Sequence, residues 1–464
     1  MLLLRLVITV PAVQTRLKYA IEKTLQNRLN SEVSIEHFSL EFPKSLEINE
    51  TLVSKNESDT LLHLNKFSVN IKFLPLLRKQ INIQNIKLKN GKGDFGLLMA
   101  QLPADTTKLQ QTKKEERESG HWDLEINSVL IESCYFKYRD EESGGIDMEL
   151  DIGKARFQFD SLNPVTLISF SSVHIENTRL EYEKFGTSKN ESDTATSNFP
   201  HIGMEETLLR NVEFIFIDTS GTPVFNLSGN DLEISNLLVD LNNEAIFFDK
   251  GLIQETSCIL SSAPSKAALS SSYEDMNWGK NLWQVDGKVL ELNDFNIVAE
   301  SLHFSEVNGR IVNLRLDQDI LNAEIKKFRG KDSEGFEIVE LDAVLNQESG
   351  LFTIGDLRLR TAIAEYKVNL STNISLTNIQ GLEGKSITLG LDIKSNSLYE
   401  IESFFSLMDR YDFLSKDLMN GSFKLHSQIS GELNNLNIEQ FNFLYSDSLQ
   451  IIARGIIKEL MEPD

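Results

Sequence analysis

The stretch Phe352-Thr-Ile-Gly-Asp-Leu-Arg-Leu359 is apolar at its first, third, sixth and eighth positions, and the same phrase returns along almost the whole chain. Its other copies are Val33/Ile35/Phe38/Leu40, Ile81/Ile83/Ile86/Leu88, Leu124/Ile126/Val129/Ile131, Leu232/Ile234/Leu237/Val239, Leu290/Leu292/Phe295/Ile297 and Leu436/Ile438/Phe441/Phe443. Period-two alternation places one row of side chains on a buried face and the other in water. The two-residue gap in the middle would exchange the faces, so each copy needs a bulge or a break there to keep a single apolar side. The copies recur at unequal intervals, which makes a loose architectural repeat and not a solenoid unit of fixed length. The expected fold is mainly β: an elongated, curled antiparallel sheet with an amphipathic helix at the N-terminus and one later helix near residues 397–420.

Composition sets the limits. A chain of 464 residues with 41% apolar content can bury several cores, yet the recurring strand favours one extended sheet, or several concatenated sheet segments, that lengthen with strand number. Acidic residues number 69 against 46 basic ones, a net charge of −23. That balance argues against nucleic acid and against broad adsorption on anionic headgroups, since both require Lys and Arg. The two cysteines, Cys134 and Cys258, lie far apart without metal-like spacing. A disulfide framework is therefore excluded, and two isolated buried thiols are expected, although a single bridge stays open.

Met1 to Val10 is apolar apart from Arg5 and Thr9, shorter than the ~20 residues of a bilayer span. No small-residue cleavage site follows, so Leu2, Leu3, Leu4, Leu6, Val7 and Ile8 read as the outer end of a membrane anchor, the alternative being a buried first element. From Val13 the period becomes helical: Val13, Leu17, Ile21, Leu25 and Leu29 form one stripe, with Arg16, Lys18, Lys23 and Arg28 around it. Such a helix caps a sheet end or lies against a membrane surface. Phe67-Ser-Val-Asn-Ile-Lys-Phe73 alternates without error, and Pro75, lacking a donor, breaks the strand before Ile81. Gln101 to Gly120, Gly186 to Asn198 and Ser261 to Ser272 are polar and without period, and read as loops. Strands are expected again at 157–159, 173–175, 212–217, 311–316, 366–370 and 387–393. Ser397 and Glu400 have capping-box spacing ahead of Leu398, Ile401, Phe405, Met408 and Tyr411, which predicts the later helix. The expected organisation is an anchor remnant over 1–12, the amphipathic helix over 13–30, a first groove segment over 31–100, an extended β-groove with polar loops over 121–396, a helix over 397–420 and the truncated start of a further β segment over 421–464. The chain reads as the first part of something longer.

Motifs for chemistry are missing. The seven histidines never pair at i+3 or i+4, and neither a G-x-S-x-G elbow nor a Walker A loop occurs. Gly91-Lys-Gly-Asp-Phe-Gly96 has the spacing of a G-x-G-x-x-G phosphate loop, but no helical pattern follows it, so it reads as a turn. Paired carboxylates such as Glu141-Glu142 read as solvated charge, because adjacent strand residues face opposite ways. No catalytic residue, metal ligand or cofactor is expected, and the chain does not read as an enzyme. The apolar rows remain as the functional candidate. They face either a second sheet, as in a sandwich, or an open trough holding a ligand, and alternation alone leaves both open. A trough suits lipid, since each buried CH₂ gains roughly 0.8 kcal/mol and a long acyl tail on the order of 10 kcal/mol.

Pro11-Ala-Val-Gln14, the helix after it, Val33-Ser-Ile35, Phe38 to Phe42, Leu46-Glu-Ile48, Asp59-Thr-Leu61, Phe67 to Phe73, Leu76-Leu77 and Ile81 to Leu88 resemble the amino-terminal region of AsmA-like proteins. Within that group the likeness is to the TamB-type translocation and assembly proteins of Bacteroidetes. Trp122, Phe136-Lys-Tyr138, Asp140, Gly144 and Ile152-Gly153 resemble the family's next segment, as does Gly330 to Phe336 leading to Leu357-Arg-Leu-Arg-Thr361. Gly431-Glu-Leu-Asn-Asn-Leu436 and Ala453-Arg-Gly455 are similar to the start of its repeating portion. The resemblance implies an inner-membrane anchor, a periplasmic body built as a taco-shaped β-groove, and phospholipid handling for outer-membrane biogenesis. It also implies an outer-membrane barrel partner, met through a carboxy-terminal region beyond Asp464. The groove would be lined by Phe67, Val69, Ile71, Phe73, Ile81, Ile83, Leu389, Leu391 and Ile393, with phospholipid acyl chains as the ligand. A rival expectation is an assembly scaffold that docks outer-membrane proteins through exposed strand edges. A third is a surface adhesin of stacked sandwiches.

Overall fold

The computed structural model describes residues 10–41, 45–55, 60–72, 75, 78–100, 123–140, 145–163, 166–184, 200–217, 223–260, 283–299, 302–317, 320–333, 336–348, 350–373, 384–397 and 421–458. The protein is mainly β, a curled and unclosed sheet with two helices among the described residues. The chain divides into two compact units. The first holds residues 1–238 and 258–263, the second residues 239–257 and 264–464.

The first unit opens with helix α1 (Pro11–Leu29), and Pro11 begins it because the first helical turn needs no donor there. Asn30 ends the helix in the left-handed conformation, φ 47°. Strands β1 (Glu32–Glu41), β2 (Ser45–Ser54), β3 (Thr60–Lys72) and β4 (Gln80–Asp94) follow as an antiparallel meander. The short helix α2 (Phe95–Ala100) comes next, then β5 (Asp123–Ile126), β6 (Ser128–Asp140), β7 (Ile146–Asn163), β8 (Leu167–Lys184), β9 (His201–Ile217) and β10 (Pro223–Asp240). The second unit contains β11 (Ala245–Leu260) up to Ser257, then β12 (Gln284–Ala299), β13 (Leu302–Leu316), β14 (Leu321–Asp332), β15 (Glu337–Glu348) and β16 (Leu351–Arg360). It continues through β17 (Ala364–Thr372), β18 (Ser386–Ser395), β19 (Phe423–Glu432), β20 (Asn435–Tyr445) and β21 (Leu449–Lys458). From β12 to β21 every neighbouring pair is antiparallel.

Among the described strands three steps are parallel. β4 runs parallel to β5 and β6, and β8 parallel to β9. β11 and β12 also run the same way, because the Gln284 N–H donates to the Glu244 carbonyl while Lys288 meets Asp249 and Lys250 meets Glu291 further along. A parallel pair obliges the chain to return from one end of a strand to the other before pairing again. Each of these three steps spans one of the polar stretches expected to be loops.

The central gap of the repeated phrase falls on a bulge or a break in every copy. The register shifts by one residue between Asn70/Ile71, opposite Gln84, and again at Leu292/Phe295, Ile354/Leu357 and Ile438/Phe441. Asn127 separates β5 from β6, Asn236 is left-handed in β10, and the gap in β1 faces the left-handed Glu50. In the first unit Asn90, Ser133, Asn177 and Asn211 are all left-handed at φ 51–54°. They line up across β4, β6, β8 and β9, with Gly153 of β7 between Ser133 and Asn177. A Cβ on Gly153 would stand 2.5 Å from the Asn177 carbonyl oxygen, so only glycine fits this crease.

In the second unit the crease is locked by side chains. The backbone N–H groups of Asp294, Glu306, Lys327 and Asp356, all left-handed, donate to side-chain oxygens of Asn308, Asn296, Asp342 and Asn369 on adjoining strands. Each bulge turns one donor out of the ladder, and an Asn or Asp next door accepts it. Asp356→Val should therefore cost about 1–2 kcal/mol, because a β-branched residue resists positive φ. Asp356→Gly should not, and thermal melts of the two variants check the difference.

Gly91-Lys-Gly-Asp is not a turn. These residues extend β4, and α2 follows directly. A Cβ on Gly91 would lie 3.1 Å from both Cys134 Sγ and Leu64 Cδ1, so the glycines here serve close approach between strands and not chain reversal. The helix predicted near 397–420, Phe73 and the apolar residues Leu2, Leu3, Leu4, Leu6, Val7 and Ile8 lie outside the described residues. No described helix is long and apolar enough to cross a membrane.

Candidate functional site: a two-faced sheet

The strand registers assemble the phrase residues into transverse rows. In the first unit Leu40, Leu46, Val69, Ile86, Val129, Phe157 and Val173 stand opposite one another from β1 to β8. Beside them run Phe38, Ile48, Phe67, Leu88, Ile131, Ala155, Ile175 and Leu209. Ile71 pairs with Ile83, Ile83 with Ile126, and Ile81 with Leu124. The sequence candidates Phe67, Val69, Ile71, Ile81 and Ile83 thus share one face of one unit. Val69 is fully buried and the other four are half-buried.

The second unit repeats the arrangement. Leu345, Ile354, Leu370, Leu389, Ile429 and Ile438 form one row, and Leu341, Leu359, Tyr366, Ile393, Leu425, Phe443 and Ile451 another. Between them lie Leu357, Val368, Leu391, Ser427 and Phe441. Leu389, Leu391 and Ile393 are therefore brought together, in a different unit from the first five candidates.

The opposite face is charged. One residue along from the Phe67 row, Lys66, Lys89, Glu132, Lys154, Glu176 and Arg210 succeed one another across β3 to β9. Lys87 reaches Glu132 at 2.9 Å, Lys154 reaches Glu176 at 2.9 Å, and Lys66 reaches Glu47 at 2.8 Å. Charges at this density stay hydrated, so this face is the wet one. Hydrogen bonding from Lys87 holds the Glu132 carboxyl below its ordinary range, and Lys66 and Lys154 do the same for Glu47 and Glu176. A carboxylate whose folded pKa is depressed adds stability above its unfolded pKa and loses it as pH falls through the folded value. The urea midpoint should accordingly drop as pH is lowered from 5 toward 3, and Glu132→Gln should flatten that drop.

Apolar packing follows the ladder. Val33, Val53 and Leu61 form one buried cluster with Leu25 and Leu29 of α1 against it. Ala364, Tyr366, Ile393 and Phe423 form the other, flanked by Leu359, Leu391, Leu425, Phe443 and Tyr445. Ring pairs such as Phe157–Phe170, Tyr182–Phe216 and Phe423–Phe443 each join a strand to its neighbour. Among the described residues, each cluster is built from successive strands of one curled sheet, without the facing sheet that a sandwich core requires.

Both cysteine thiols are free and buried. Cys134 lies just past the left-handed Ser133, where the Gly91 N–H donates to its sulfur at 3.3 Å. Burial pushes both thiols above their usual range. Neither should react with an aromatic disulfide reagent until the protein unfolds, when both should. Among the described residues no group of three His, Cys, Asp or Glu side chains is placed to hold a metal ion. Tyr366, expected from the sequence only as the start of a strand, and Phe423 are not marked as core rings by the sequence, because strand alternation marks a face but not the point where curling draws rings together.

Fold and faces together define the class: a mainly β protein whose curled, open sheet is apolar on one side and charged on the other. No protein-family model and no curated protein matches the chain.

Proposed function

We propose that the apolar face handles phospholipid acyl chains, with headgroups held in water at the open edge. The observation that carries this reading is the run of transverse apolar rows, backed by a charged ladder and, among the described residues, not met by a second sheet. An acyl chain laid along such rows replaces water over many CH₂ groups without requiring a directional contact, so tails of different length and saturation are accepted. The reading is non-enzymatic. It accords with the likeness to AsmA-like and TamB-type proteins, hence with an inner-membrane anchor, a periplasmic body and service to outer-membrane biogenesis. Organic extraction of the purified protein followed by mass spectrometry tests it. Bound phospholipid is the expected result, and lipid-free protein from a membrane-containing lysate would overturn it.

A second reading has its own observation. All ten residues of β21 are exposed, among them Ile452 at 67% and Ile456 at 61%. An assembly scaffold that docks outer-membrane proteins by strand addition would use such a strand. It predicts protein adducts on β21 and no extractable lipid.

A further inference from the structure

The outward edge of β1 is held by side chains. Gln14 Nε2 donates to the Leu40 carbonyl at 3.4 Å, Lys18 Nζ to the Glu36 carbonyl at 3.3 Å, and Gln26 Nε2 to the Val33 carbonyl at 3.0 Å. The Ile35 N–H donates to Glu22 Oε1 at 2.8 Å. Gln14, Lys18, Glu22 and Gln26 are spaced four apart, so they form a single stripe of α1, laid along the strand beside the apolar one. Their targets are backbone donors and acceptors of β1, the kind of group through which an edge strand recruits another. The helix itself is lightly held. None of its residues is fully buried, and only Leu25 and Leu29 pack against a buried cluster.

The strand beneath has a further property. Glu32-Val-Ser-Ile-Glu-His-Phe-Ser-Leu-Glu41 presents the same order of residue classes read from either end. In an antiparallel pairing with a second copy of itself, Val33 stands opposite Leu40, Ser34 opposite Ser39 and Ile35 opposite Phe38. The apolar rows then continue across the junction on one face.

We propose that α1 is an edge guard: its polar stripe occupies the β1 backbone and so prevents two copies of the chain from joining β1 to β1. This holds whether or not the apolar face binds lipid. Locally, the helix is the element that opens first, because side-chain hydrogen bonds and a partly exposed apolar stripe secure it in place of a strand ladder.

The test uses two full-length proteins, one carrying Ser34→Cys and one Ser39→Cys, mixed and oxidised. With α1 unaltered, no disulfide between the two is expected. With Gln14→Ala, Glu22→Ala and Gln26→Ala added to both, the 34–39 cross-link should appear, and Glu22→Gln alone, which keeps an acceptor for Ile35, should leave it absent. If the triple variant loses its strand signal in circular dichroism, Glu22→Ala alone is read the same way. Cross-linking that is equal with and without the guard, or absent in the folded guardless protein, would overturn the proposal.

Discussion

Val69→Asp is expected to destabilise the first unit by on the order of 3 kcal/mol and to strip it of bound phospholipid. Val69 is 6% exposed and lies between Leu46 and Ile86 in its transverse row. A carboxylate there stands between two apolar side chains and loses most of its hydration. Desolvation favours the neutral acid, so the loss should be smaller at pH 4 than at pH 7. Urea unfolding at both values measures this. Leu389→Asp offers the cleaner functional comparison, because Leu389 is only half-buried. It should leave the second unit folded while reducing the phospholipid recovered by extraction. Unchanged recovery in both variants would remove the apolar rows from any role in lipid binding.

Phe423→Ala should cost about 3–5 kcal/mol, the range for deleting a buried aromatic ring. Phe423 is 2% exposed, touches the cluster of Ala364, Tyr366 and Ile393, and meets the Phe443 ring at 5.8 Å. In a protein of two compact units the damage should stay local. Amide exchange should accelerate in β17 to β20 while β2 to β4 keep their protection. Uniform acceleration along the chain would show that the two units unfold as one.

The phrase in the sequence carries the β class, the single apolar face and the need for a bulge, because all three follow from side-chain alternation. The strands expected at 157–159, 173–175, 212–217, 311–316, 366–370 and 387–393 all form. The bulge residues themselves were not legible. Left-handed backbone falls on Glu255, Glu306 and Lys327 as readily as on Asn177 or Asn211, and the cause is the neighbouring strand and not the residue's own preference. Parallel pairing at β4, β8 and β11 was hidden for a related reason, since a polar connection has the same composition whether it closes a hairpin or crosses over. Gly91 and Gly93 were misread as a turn because sequence shows a glycine's freedom before it shows the side chain pressing against it. On α1 the apolar stripe was legible, whereas Gln14, Lys18, Glu22 and Gln26 looked like an ordinary solvated face until β1 was laid beside them.

The central claim is that one face of the sheet meets acyl chains while the other meets water. A photoreactive amino acid at Leu88, on the apolar row, and another at Lys89, on the charged row, tests it in protein incubated with phospholipid vesicles. Irradiation should attach phospholipid at 88 and not at 89. Lipid adducts of equal yield at both positions, or at 88 only cross-links to other protein, would contradict it.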